Sequence, residues 1–92
     1  MFDIFYSPKF IKEYRRLPVQ IQEMAEQKEK LFRFNPFDPR LKTHKLSGKL
    51  RGCWAFSINH NYRIIFTFES EKEIRFHTIG THSIYTGHTK LT

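Results

Sequence analysis

Three apolar runs with a two-residue period crowd the second half of the chain and leave it little freedom in how to fold. Trp54, Phe56 and Ile58 alternate with Cys53, Ala55 and Ser57; Tyr62, Ile64, Phe66 and Phe68 alternate with Arg63, Ile65 and Thr67; Ile74, Phe76 and Thr78 alternate with Arg75, His77 and Ile79. Such alternation places one set of side chains on each face of a strand. The connectors Asn59-His60-Asn61 and Ser70-Glu71-Lys72 are short and polar, so the strands are predicted to pair as an antiparallel meander. The first set is bulky and aromatic and needs cover. The second is small or polar with Arg63 among it, a pattern that fits an open groove and a solvated sheet face equally well.

The cover lies upstream. Phe2, Ile4 and Tyr6 alternate with Asp3 and Phe5, which predicts a short strand over 2–6. Ser7-Pro8 has the form of an N-cap followed by proline at the first helical position. Phe10, Ile11, Tyr14 and Leu17 then recur at helical spacing until Pro18. A second helix is predicted from about Val19 to Phe34. There Ile21, Met24, Ala25, Lys28, Leu31 and Phe32 form one stripe, with Glu23, Glu26, Gln27 and Glu29 mostly outside it. A short link makes the two helices an antiparallel hairpin. The stripe reads as cover for the chain's own sheet, although a partner-binding helix would show the same pattern. Asn35-Pro-Phe-Asp-Pro39 is a breaker cluster inside the domain. The expected fold is α+β: an N-terminal strand, an antiparallel helix hairpin and a three-stranded antiparallel meander. With 92 residues, 39% of them apolar and fifteen aromatic, it forms one domain over 1–92 with a real core.

Charge narrows the partners. Sixteen Lys and Arg against nine Asp and Glu give +7, a balance that suits a polyanion, nucleic acid ahead of a membrane surface. The excess is concentrated: from Arg40 to Phe68 there is no acidic residue, while Arg40, Lys42, Lys45, Lys49, Arg51 and Arg63 stand in that span with His44 and His60. Such a run has enough cations for several phosphate contacts. A lone Cys53 excludes an intramolecular disulfide and thiolate zinc motifs, which fits a reducing cytoplasm. The N-terminal residues do not resemble an export signal, and no run approaches the roughly 20 apolar residues that cross a bilayer. No membrane role is expected, and the tail from His88 to Thr92 is expected to fray.

Five histidines raise the question of a metal, yet His44, His60, His77, His82 and His88 show no metal-ligand spacing and no carboxylate completes a set. No metal and no cofactor are expected. Metal-free cleavage of an RNA phosphodiester needs a base for the 2′-hydroxyl, an acid for the leaving 5′-oxygen and a fixed cation for the charged phosphorus centre. His44, His82 and Arg63 are the side chains available for those roles, each in or beside the predicted sheet.

Leu41-Lys-Thr-His44-Lys-Leu-Ser-Gly48-Lys-Leu, Trp54-Ala-Phe-Ser-Ile58, Tyr62-Arg-Ile-Ile-Phe66 and Ile79-Gly-Thr-His82-Ser-Ile-Tyr85, in that order, resemble the RelE/ParE superfamily of toxin-antitoxin toxins, near its YafQ-like and YoeB-like branch. The likeness spans nearly the whole chain. It implies a type II toxin that acts as an mRNA interferase, a ribosome-dependent endoribonuclease that cuts the message in the A site and is restrained by a cognate antitoxin, which complementarity to the basic charge predicts to be small and acidic. By the same likeness, His82 matches the catalytic histidine usually assigned as proton donor, and His44 matches a second active-site histidine. Arg63 matches the arginine that stabilises the scissile phosphate. Tyr85 matches a C-terminal aromatic that positions or stacks on a base. Lys45, Lys49 and Arg51 would hold the backbone of message or ribosomal RNA, with Asn61 beside them.

Two positions depart from that pattern. Asn61 and Ser83 stand where the family often has Asp. Asn cannot act as a general base and Ser is a poor one alone, so the base is expected to be His44 or a lysine of lowered pKa, or else the protein is attenuated. Two other functions suit the same chain: a ParE-like gyrase inhibitor, and a basic RNA- or ribosome-binding protein without catalysis.

Overall fold

A computed structural model describes residues 1–86, so the expected fraying of the tail from His88 onward lies outside the described residues. Strand β1 (Asp3–Tyr6) leads into helix α1 (Pro8–Arg15) and helix α2 (Val19–Phe34). A 3₁₀ turn (Pro39–Leu41), strand β2 (His44–Lys45) and a second 3₁₀ turn (Gly48–Leu50) follow, then β3 (Trp54–Ser57), β4 (Arg63–Phe68), β5 (Glu73–Gly80) and a one-turn helix α3 (Ser83–Thr86).

Local chemistry sets these boundaries. Ser7 is extended and its hydroxyl oxygen accepts from the Phe10 amide at 3.0 Å, capping α1, while the same hydroxyl donates to the His77 carbonyl and ties the helix start to β5. Pro18, which has no amide hydrogen and disfavours helix at Leu17, separates the two helices. The hydroxyls of Tyr14 and Tyr6 donate to Glu26 and Glu29 at 2.6 Å each, so later α2 residues meet earlier ones of the N-terminal segment, as an antiparallel hairpin requires. Asn35 turns extended ahead of Pro36 and ends α2 at the expected residue.

The strands form one mixed sheet in the order β1-β5-β4-β3-β2, with β1 parallel to β5 and all other pairs antiparallel. The meander is therefore as expected, with β1 and the two-residue β2 added at its edges. On the helix side, the Phe32 ring from α2 lies 4.7, 4.9 and 5.4 Å from Phe56, Phe66 and Phe76, all four fully buried. Edge-to-face and offset contacts of this kind stabilise beyond the area that they bury.

Two expectations change. Alternation places Ile79 with Arg75 and His77, but the β4–β5 register shifts between Ile65 and Phe66: Phe66 pairs with Phe76 and Ile65 with Thr78, leaving His77 as the extra residue of a bulge. The phase slips by one, and Ile79 joins the helix-side core opposite Ile64. The second sheet face, moreover, is neither an open groove nor a solvated surface along its whole length. Ala55 and Ile65 are fully buried there under Leu50, Cys53 and Ile84, with Leu46 and Tyr85 at the margin. An isoleucine on that face demands cover, and the second 3₁₀ turn and α3 provide it. Burial also pushes the Cys53 thiol pKa up. No helix among the described residues is long and apolar enough to cross a membrane.

Candidate active site

Where the second face loses its cover, three of the expected residues meet. Arg63 opens β4 and pairs with Gly80, the last residue of β5. The chain therefore leaves the sheet beside Arg63 and turns at once: the amides of Ile84 and Tyr85 donate to the carbonyls of Thr81 and His82 at 3.0 Å each. Gly80 permits this closeness, since a Cβ there would stand 2.7 Å from Ile84 Cγ2. Ile84 anchors the turn in the covered patch. His82 is left exposed and Tyr85 half-buried, their ring centroids 5.7 Å apart at 63°.

This corner is electrostatically unfinished. Arg63 Nη1 and the Tyr85 hydroxyl are both buried without a hydrogen-bond partner. A buried donor without a partner costs about 1–3 kcal/mol, an expense that a bound anion would remove. Burial raises the Tyr85 pKa, and the nearby Arg63 charge partly opposes that shift, so the phenol remains a proton donor near neutrality.

His44 reaches the same face from the opposite edge. It pairs with Ala55, which pairs with Ile65, so its side chain shares a face with Ile65 and with Arg63 two residues earlier. With strands about 4.8 Å apart and residues about 3.3 Å apart along a strand, the His44 and Arg63 Cα atoms lie roughly 12 Å from each other. Their side chains can address one extended ligand but not each other. His44 Nδ1 lies 3.1 Å from the Lys42 carbonyl. Because a carbonyl only accepts, that bond fixes the proton on Nδ1 and leaves Nε2 as the bare nitrogen of the neutral ring.

The expected RNA-binding residues divide. Lys49, in the second 3₁₀ turn, and Arg51, just after it, are exposed on either side of buried Leu50, next to the patch that carries Tyr85. Asn61 is exposed in the β3–β4 loop, its amide donating to Asn59 Oδ1 at 2.9 Å, two residues before Arg63. Lys45 is not with them. It pairs with Trp54, and its ammonium lies 5.4 Å from the centre of the Trp54 ring, a residue packed on the helix-side core. Period-two geometry thus sends Lys45 to the face opposite His44.

A cleft of about 240 Å³ adjoins the corner, bounded by Lys28, Arg40, Lys42, Asn59, His60 and Arg63. Sequence reasoning counted most of these charges without bringing them together, and it assigned Lys28 to an apolar stripe. A lone lysine in such a stripe was the available signal. Among the described residues, no group of three or more His, Cys, Asp or Glu is placed to hold a metal ion.

A family profile described as "Bacterial toxin of type II toxin-antitoxin system, YafQ" matches residues 2–86. The chain belongs to the YafQ toxin family. Solved structures of similar fold include YafQ from E. coli strain BL21(DE3), with TM-score 0.71 and 21% identity, covering 92% of this chain and 98% of that one. A YoeB/ParE toxin from Agrobacterium tumefaciens gives TM-score 0.73 at 17% identity, covering 87% and 98%. The YoeB-YefM complex from Staphylococcus aureus gives 0.72 at 21%, covering 89% and 98%. No curated protein sequence matches significantly. The small α+β domain of this YafQ-family toxin, with its helices and five-stranded mixed sheet, is the fold of those YafQ and YoeB toxins.

Proposed function

We propose that this toxin is a ribosome-dependent endoribonuclease that cuts mRNA in the A site without a metal. The observation that carries the reading is the pair of buried, unpartnered donors, Arg63 Nη1 and the Tyr85 hydroxyl, beside the exposed ring of His82. In this reading Arg63 holds the scissile phosphate and stabilises the charge that develops on it. His44 Nε2 takes the 2′-hydroxyl proton; the 2′-oxygen attacks phosphorus; the bond to the 5′-oxygen breaks, leaving a 2′,3′-cyclic phosphate, and His82 protonates the departing oxygen. Tyr85 donates to the phosphate or carries a base on its ring. Lys49, Arg51 and Asn61 bind the flanking strand. Lys45, on the other face, contributes only long-range attraction.

Family membership makes the toxin one half of a toxin-antitoxin pair, and the S. aureus YoeB relative is found in a heterotetrameric crystal complex with YefM. The partner proposed here is an acidic antitoxin, since complementarity with a +7 surface speeds its association. The site of action is the cytoplasm, where ribosomes translate.

The test is to map message 5′ ends by primer extension after adding the purified protein to a translating extract, beside a His82→Ala control. Discrete new ends at A-site codons, absent with the control, are expected. Stalled translation with intact messages would favour an attenuated ribosome binder, the reading that Asn61 and Ser83 suggest. Unaffected translation with arrested supercoiling would favour a gyrase inhibitor.

A further inference from the structure

Beyond the corner that holds His82 and Tyr85, the cleft next to Arg63 has a character of its own. Its charged walls are Lys28 from α2, Arg40 and Lys42 from the first 3₁₀ turn and its end, and Arg63, with His60 from the β3–β4 loop; no carboxylate lines it. Asp38, which neighbours it, is already engaged, accepting from Arg40 at 2.8 and 3.0 Å. That carboxylate offsets Arg40 and, in part, Lys28, which leaves Lys42 and Arg63, from two separate chain segments, facing the concavity without an ion-pair partner among the described residues, and like charges so placed repel one another unless an anion joins them. The backbone bears a cost there as well. Lys42 is the one described non-glycine residue at positive φ, with φ 54° and ψ 40°. Glycine or asparagine would hold that conformation more cheaply, yet the position carries a long cation that lines the cleft.

We infer that this cleft is a second phosphate site, holding a backbone phosphate of the same single-stranded RNA that passes Arg63. The inference rests on the proposed RNA-cleaving function for the identity of the strand. Arg63 is common to both places: it lines the cleft and its charge reaches Tyr85. A strand whose scissile phosphate meets Arg63 from the Tyr85 side therefore continues past the guanidinium into the cleft. The cleft then fixes which linkage is presented for cleavage, because two phosphates held at once set the register of the strand.

The test uses the full-length toxin and a short single-stranded RNA in which 2′-deoxy sugars block cleavage. Affinity is measured across a salt series for the wild type, for Lys28→Ala/Lys42→Asn, and for Lys12→Ala on α1, which lies outside the cleft; unfolding midpoints confirm that each is folded. One phosphate lost from a single strand makes the slope of log K against log salt shallower by about 0.7. That change is expected for the double variant alone, and one neutral methylphosphonate linkage in the RNA should produce it in the wild type without adding to the variant's loss. An unchanged slope in the double variant, or no salt-dependent binding by the wild type, overturns the proposal. If the double variant binds the oligonucleotide normally but loses affinity for message-free ribosomes, the phosphate belongs to ribosomal RNA and the assignment to the message strand is overturned. None of these readouts requires cleavage, so a toxin that proved to cut no message would refute the proposed function and leave the cleft decided on its own result.

Discussion

Gly80 stands opposite Arg63 in the β4–β5 ladder, and its missing side chain is what allows Ile84 to close over that end of the sheet. A methyl group at residue 80 would meet Ile84 Cγ2 at 2.7 Å and lift α3. Gly80→Ala is therefore expected to cost about 1–3 kcal/mol in urea unfolding. Because His82 and Tyr85 ride on that turn, cleavage should fall on the order of 100-fold. Adding Ile84→Leu, which removes the clashing methyl branch, should recover part of both. Wild-type stability in the single variant would show that the turn has room the geometry denies it.

Arg63 is held at a cost that the proposed phosphate contact would offset. Its Nη1 is buried without a partner, so Arg63→Met is expected to leave the unfolding midpoint unchanged or raise it while lowering message cleavage about 10²- to 10³-fold. A marked loss of stability would instead make Arg63 a structural residue.

His44 and His82 have exposed rings, so replacing either by alanine should leave thermal unfolding as in the wild type. Cleavage should drop by about 10²- to 10⁴-fold in each case if they are base and acid. Full activity in His44→Ala would remove it from the chemistry and point to a lysine as the base.

Glu13 fastens α1 to the end of β5. Its Oε1 accepts from the Thr78 hydroxyl at 2.6 Å and from the Ile79 amide at 3.2 Å, and Thr78 is fully buried. Glu13→Ala leaves both donors without that oxygen and should destabilise by about 1–3 kcal/mol. Denaturant titration decides the point, and a change within a few tenths would mean that water replaces the carboxylate.

Much of this arrangement was legible in the sequence and some of it was not. The bounds of α2 followed from a stripe that starts after Pro18 and stops before Pro36, because proline marks both ends unambiguously. The meander followed from alternation with short polar connectors. The bulge at His77 left no such mark: nothing in Phe76-His-Thr-Ile79 shows that one residue is supernumerary, since the decision rests on pairing with β4. The parallel seat of β1 depends on a partner at the far end of the chain and has no local signature. In the site, His82 and Tyr85 fall together because a tight turn joins them. The distance of Lys45 from that group could have been foreseen from its position next to His44 in a strand, had the two-residue β2 been recognised.

The phenol of Tyr6 supplies a pH prediction. Burial, and then its bond to Glu29, push its pKa up from 10.0 to about 12. An unfolded chain ionises first, so the stabilisation is fully present below pH 10 and is lost as pH rises towards 12. Stability of Tyr6→Phe should consequently fall less steeply than that of the wild type across that window. Parallel curves in alkaline urea titrations would rule out the contribution.

The seat of β1 against β5 also governs when the toxin becomes dangerous to its maker. Asp3 pairs with Glu73 and Tyr6 with Phe76, so the first strand has no sheet to join until the last has been synthesised. At about 5–20 residues per second, the intervening seventy positions take roughly 4 to 14 s to emerge. The turn bearing His82 follows later still, anchored on the same final strand. Until β5 has emerged, a nascent copy therefore lacks the completed sheet on which that turn is seated, and the cell has that interval in which to have an antitoxin waiting.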